Sequence, residues 1–382
     1  MAKTLRAPSI AELRERKSTK WRTHPVDVLP LPVAEMDFPI AEPIKIALRD
    51  MIDRSDTGYL WQFPELFEAF GDFAEHKWSW RPDPSQMRIT TDVGVGVVEV
   101  IRTIINPGDS VILNSPVYDN MWRWITEVKA ELVDVPLLES GSEYSIDLLA
   151  LERAYSSGAK VHILCNPHNP VGILFDRQTL ESIAKLAKQY GVIVISDEIH
   201  GALTYPGKQF IPFLSVSDTA REVGITITSA SKAFNLAGLK CAMIISGSDP
   251  LKERLNALPF SIGFRASLFG AVAATSAFRD SRDWLGSAIC ALDENRQLVA
   301  NLIATKIPAI RYRKPDFGFL AWLDLSQLGL GEDPAKVFLE KGRLAINSGL
   351  LYGPRHGQFA RLNFGTSPEI ITDAFDRMAR TI

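Results

Sequence analysis

The stretch from residue 161 to 196 constrains the fold more than any other part of the chain. VHILC (161–165) is a short, β-branched apolar run with the look of a buried strand, and NPHNPVG (166–172) follows it as a turn-rich loop. RQTLESIAKLAKQY (177–190) then sets Leu180, Ile183, Ala184 and Ala187 on one helical face. Gly191 stops that helix, and VIVIS (192–196) reads as a second buried strand. Strand, helix, strand in this order is a right-handed βαβ crossover, which requires a parallel sheet covered by helices. Further runs at 111–115 (VILNS), 225–229 (ITITS) and 241–246 (CAMIIS) extend it. At 382 residues the chain has room for one large α/β domain or for two domains sharing a core. From about residue 250 the texture changes to mixed helices with a predicted strand at FLAWLDL (319–325), which predicts a smaller α+β domain. Segment 1–45 is Pro-rich without a period of its own, and is expected to lie against that smaller domain or a neighbouring subunit. The division predicted is 46–274 for the large domain, and 1–45 with 275–382 for the small one.

Charge and cysteine usage narrow the function classes. Lys plus Arg number 42 against 45 Asp plus Glu, a net charge of −3, so there is no basic footprint for nucleic acid or anionic lipid. A small-molecule partner is expected instead. Cys165, Cys241 and Cys290 are odd in number and far apart, which argues against a disulfide framework and for a reducing compartment. MAKTLRAPSIAELRERKS has no apolar core of a signal peptide, and no stretch approaches the roughly 18 apolar residues of a membrane helix, so a cytoplasmic protein is expected.

In open α/β sheets ligands sit outside the carboxyl ends of the strands. The residues at those ends are Pro116 to Tyr118, Asn166 to Asn169, Asp197 to His200 and Ser229 to Lys232. A lysine at such an end can shed its proton and form a Schiff base, with the hydroxyls of Ser229 and Ser231 suited to a phosphate; a solvated loop lysine is the plainer reading. Asp197 can keep a pyridine nitrogen protonated, or simply cap the next turn. Two Asn-Pro pairs and a glycine over-determine the NPHNPVG loop, which can present the Asn169 amide to a phenolic oxygen. GVGV (94–97) can set a helix N-terminus against a phosphate, although it is neither GxGxxG nor a P-loop. His162, Cys165 and His168 have a spacing that suggests zinc, but strand alternation separates residues 162 and 165, and no metal is expected. Trp78, Trp80, Trp122 and Trp124 are read as packing residues.

Seven blocks, in order along nearly the whole chain, carry a resemblance: VAEMDFP (33–39), GY (58–59), SPVYDNMW (115–122), NPHNPVG (166–172), DEIH (197–200), SASKAFNLAGL (229–239) and RLNFGTS (361–367). The chain resembles a fold-type I pyridoxal-phosphate enzyme of the class I/II aminotransferase superfamily. Within it the chain is similar to the MalY/PatB group of cysteine-S-conjugate β-lyases, which act as cystathionine β-lyases. The resemblance implies an aspartate-aminotransferase-like α/β fold with a mainly parallel central sheet. It implies pyridoxal 5′-phosphate bound to Lys232, which then serves as base at the substrate Cα. Asp197 would pair with the pyridine nitrogen, Asn169 with the ring hydroxyl, and Tyr118 would stack on the ring. Val93, Gly94, Ser229 and Ser231 would hold the phosphate, joined by Tyr59 from the neighbouring subunit of a homodimer. Arg361 would clamp the substrate carboxylate, with Ala34 and Asn169 beside it. His200 stands where relatives often have a tyrosine, so its role stays open. Two departures stand out: Pro32 replaces a tryptophan common before the VA(D/E)MDF block, and Lys240 replaces a phosphate-binding arginine, so that it either contributes a point charge or faces solvent. The reaction implied is β-elimination, with L-cystathionine giving homocysteine, pyruvate and ammonia. A class I/II aminotransferase shares the cofactor site, and a regulatory binding role on the same scaffold is a third reading.

Overall fold

The computed structural model describes residues 5–382, so the first four residues of segment 1–45 lie outside the described residues. Seven strands form the main sheet: β1 (Met87–Thr90), β2 (Ser110–Leu113), β3 (Glu131–Asp134), β4 (Val161–Cys165), β5 (Ile193–Asp197), β6 (Gly224–Thr228) and β7 (Ala242–Ser246). Their spatial order is β1-β7-β6-β5-β4-β2-β3. The βαβ unit read from the sequence is present, with β4 and β5 parallel in a register that pairs Cys165 with Asp197. Its helix, α2 (Arg177–Tyr190), starts where the Asp176 carboxylate accepts the Thr179 amide at 2.7 Å. The helix ends at Gly191, whose φ of 70° glycine adopts without a Cβ clash. Strand β7 alone runs antiparallel to its neighbours, β1 and β6. The connection differs locally: residues 229–241 contain only a short 3₁₀ turn at Ala237–Leu239 and no helix of the kind that usually carries a parallel crossover.

Period-two alternation sorts the strands' side chains. Val161, Ile163 and Cys165 share a core with Val97 and Ile101 of helix α1 (Val93–Ile104), whereas Leu164 and Val194 face the opposite core. Gly96 lets α1 approach the sheet, because a Cβ there would stand 3.1 Å from Thr90 and 3.3 Å from Ile227. Each fully buried Val or Ile of this layer contributes roughly 1.5–3 kcal/mol, so the layer is a firm base for the strand ends.

A second, antiparallel sheet contains β8 (Arg311–Tyr312), β9 (Leu320–Asp324), β10 (Asn347–Ser348) and β11 (Phe359–Asn363), in the order β8-β9-β11-β10. The N-terminal segment joins this part, since Leu29–Pro30 pairs with Leu344–Ala345. Boundaries at 45/46 and 274/275 would fall inside the continuous helices Glu42–Asp53 and Leu268–Asp280, which pack on each other, the second also on Pro64–Trp78.

Candidate active site

Because β2, β4, β5 and β6 are parallel, their carboxyl ends emerge at one edge, and four loops meet there. Tyr118, Asn169, Asp197, His200, Ser231 and Lys232 line one cavity of about 480 Å³, together with Ala34, Val93, Gly94 and Lys240. Pockets of this size take small organic ligands. Tyr59, Ser229 and Arg361 stand outside that lining.

Lys232 is half-buried, and its Nζ donates to the Ala34 carbonyl at 2.9 Å. Burial first, and the Arg361 guanidinium second, push its ammonium down to about 8, so a free amine is accessible near neutral pH. Asp197 is buried; burial raises its carboxyl to about 6, while the Ile199 amide on Oδ1 (3.2 Å) and the charge of Lys232 pull the other way. It therefore organises its own turn and faces the cavity at once. Glu198, the next residue, turns inward to accept from Ser196 Oγ and the Phe213 amide. His200 is buried, its Nδ1 has no partner among the described residues, and burial brings it down to about 3, so the imidazole is neutral. Lys240 both lines the cavity and pairs with Asp92 at 2.9 Å, in a half-exposed position.

The N-terminus of α1 opens on the same cavity. Asp92 caps it by accepting the Val95 amide at 2.9 Å, which leaves the preceding first-turn amides, those of Val93 and Gly94, without intrahelical acceptors. A Cβ on Gly94 would meet the Trp124 ring at 3.1 Å, so this glycine permits the indole's approach. Ser231 faces the cavity, whereas the Ser229 hydroxyl donates to the Cys241 carbonyl at 2.6 Å and its oxygen accepts the Ser231 amide. Tyr118 is kept neutral by burial, and its hydroxyl accepts from Asn120 at 2.6 Å.

Trp124 and Cys165 are among the lining residues that the sequence does not mark as site residues. Trp124, read as packing, lines the cavity and meets the Tyr118 ring edge-on at 5.9 Å. Cys165, weighed for a disulfide and for zinc, lies beside Asp197, and burial holds its thiol protonated. A strand's last residue points into this cavity whenever its register neighbour does, which is the signal that marks Cys165.

Arg361 lies just behind Asn169. Its Nη1 donates to Asn169 Oδ1 at 3.3 Å and its Nη2 to the Pro32 carbonyl at 3.0 Å, while its buried Nε has no partner among the described residues. The guanidinium also sits 5.1 Å from the Tyr352 ring centre, a cation–π distance. Tyr59 is 83% exposed and stacks on Phe264 at 5.0 Å, beside exposed Trp61 and Phe260.

Pyridoxal phosphate fits this donor set. A lysine amine held only by a carbonyl, a buried carboxylate, unengaged first-turn amides and an unpartnered imidazole converge on one cavity. Comparison with known proteins agrees. The family model for aminotransferase class I and II matches residues 28–378. A Mycobacterium tuberculosis protein named "Putative cystathionine beta-lyase" is 39% identical over 98% of this chain and 97% of its own length. Cystathionine beta-lyase PatB of Bacillus subtilis is 31% identical over 92% of both chains. The crystal structure of a "putative plp-dependent beta-cystathionase" from Corynebacterium diphtheriae superposes with a TM-score of 0.93 at 33% identity, over 99% of this chain and 98% of that one. The chain belongs to the class I and II aminotransferase family, and its fold is that of the family's pyridoxal-phosphate enzymes.

Proposed function

We propose that the protein is a carbon–sulfur β-lyase that cleaves L-cystathionine or a related cysteine S-conjugate to a thiol, pyruvate and ammonia. The observation that carries this reading is the near-full-length match, at 31–39% identity, to proteins named cystathionine beta-lyase, on a chain whose Lys232 and Asp197 line one cavity with Arg361 bonded to Asn169 of its wall. Lys232 would hold pyridoxal phosphate, with Asp197 toward the ring nitrogen, Asn169 and His200 toward its phenolic side, and Val93, Gly94 and Ser231 toward the phosphate. When bound, the cofactor supplies an aldehyde for the substrate amine and a ring that draws electrons from Cα.

The chain's own groups do the rest. Arg361 binds the α-carboxylate, exchanging the Pro32 carbonyl for a charged, fork-shaped partner. Lys232 Nζ, whose ammonium burial brings down to about 8, takes the Cα proton in its free-amine form. Tyr118 and Trp124 cover the cavity from one side and exclude water. As the Cβ–sulfur bond breaks, the electron pair of the Cα–H bond becomes the new Cα–Cβ double bond and the thiolate leaves with the C–S pair. The released enamine hydrolyses to pyruvate and ammonia.

We further propose a homodimer, supported by the exposed aromatic surface of Tyr59, Trp61 and Phe260, whose covering by a second copy would carry Tyr59 to a neighbouring phosphate end. The two-domain division is proposed with its cuts moved to Ala41, ahead of the helix Glu42–Asp53, and to Ser281, between the helices Leu268–Asp280 and Arg282–Lys306. A cytoplasmic location fits the three free cysteines; among the described residues no helix is long and apolar enough to cross a membrane. The deciding experiment incubates the cofactor-loaded protein with L-cystathionine and no keto acid. Continuous pyruvate release is expected; a single stoichiometric conversion that stalls until a keto acid is added identifies an aminotransferase instead.

A further inference from the structure

Residues 32–39 form neither helix nor strand, yet each main-chain carbonyl from Pro32 to Pro39 accepts a hydrogen bond from a side chain. Two of those donors are the cations of the site, Arg361 on Pro32 and Lys232 on Ala34. A backbone without a ladder of its own takes its position from such donors. Among them Asn235 is the most fully engaged: its Nδ2 donates to Met36 O at 2.9 Å and Phe38 O at 3.0 Å, and its Oδ1 accepts the Met36 amide at 3.2 Å. Both amide hydrogens and the oxygen are thus spent on one segment. Asn235 sits three residues past Lys232 on the same turn, which is closed by Phe234 N to Ala230 O and Leu236 N to Ser231 O. Its φ of 59° is left-handed, a conformation in which asparagine is enriched among the non-glycine residues.

We propose that Asn235 is a positioning residue for the lyase reaction. It locks segment 32–39 to the lysine turn, so that the Pro32 carbonyl stands where it holds the guanidinium of Arg361 before substrate arrives, and the Ala34 carbonyl where it meets the amine of Lys232 whenever that amine is free. Its effect on turnover rests on the reading above; its effect on the segment does not.

The test uses the full-length holoprotein carrying Asn235→Gly, which tolerates the left-handed backbone and removes the side chain with all three of its bonds to the segment. Hydrogen exchange of the 33–38 backbone should quicken by about tenfold or more, the worth of one lost neutral hydrogen bond. KM for the thioether should rise about tenfold while kcat stays within about threefold, because the site loses pre-alignment and not its reacting groups. Where the glycine variant does not accumulate, Asn235→Asp is measured, with the same split expected because both donations are lost. Unchanged exchange and unchanged KM overturn the proposal, and so does a joint fall of kcat, cofactor content and melting temperature. Should the wild type make no pyruvate, the lyase reading fails, and the exchange arm still decides the role of Asn235.

Discussion

The two walls of the cavity are built on opposite principles. At the sheet edge, Asn169, Asp197 and Lys232 follow the ends of adjacent parallel strands, whose hydrogen-bond ladders fix where each side chain emerges. Across from them, segment 32–39 is held by side chains from distant parts of the chain. Its far end rests on a buried ion pair, Lys20 Nζ to Asp37 Oδ2 at 2.7 Å, with the Trp21 indole on the other carboxylate oxygen. Burial pushes the Lys20 ammonium down and Asp37 pulls it back up. Removing one member of such a pair costs about 3–5 kcal/mol, because the other is left buried and uncompensated. One wall is therefore set by the sheet, and the other by a few donors that can exchange partners when a substrate carboxylate arrives.

That contrast orders the expected effects. On the sheet wall, Lys232→Ala should abolish the yellow absorbance of bound cofactor and lower pyruvate formation by about a thousandfold or more, since the other lining amine, that of Lys240, is paired with Asp92. Retention of both signals would remove Lys232 from the chemistry. Where the walls meet, Arg361→Lys keeps a charge but loses the fork that spans Asn169 and Pro32. KM should rise by roughly 10- to 100-fold, with a smaller change in kcat, when initial rates are fitted over a substrate series. The gentlest probe leaves the sequence intact. Burial lowers the pKa of Lys232 to about 8, so in the cofactor-free protein the reactive amine fraction grows as pH rises and saturates above that point. The rate of cofactor reloading should climb by about tenfold per pH unit below 8 and level off above it. A climb that continues toward 10.5 would mean that the amine is not desolvated.

The same contrast explains what could be read from the residues alone. Lys232, Asp197 and Asn169 were legible because each ends a short apolar run, and strand ends of a parallel sheet share an edge. The mainly parallel sheet and the α2 boundaries followed from local signals, the apolar period and Gly191. The engagement of Ser229 was not legible: its hydroxyl meets Cys241 only because β7 folds back antiparallel on β6. Trp124 resembled any amphipathic helix's tryptophan until Gly94 was found to admit its ring. Asn235 and Asn363 were inconspicuous for another reason, since their partners lie near residue 35, with no local pattern to announce them.

The central claim is that this lysine edge releases a thiol from Cβ and does not pass an amino group on. Counting pyruvate and homocysteine per active site, from L-cystathionine with no keto acid present, tests it most directly. The account predicts many equivalents of each product, in equal amounts, rising linearly with time. No more than one equivalent of keto acid per site, with no homocysteine, would contradict it.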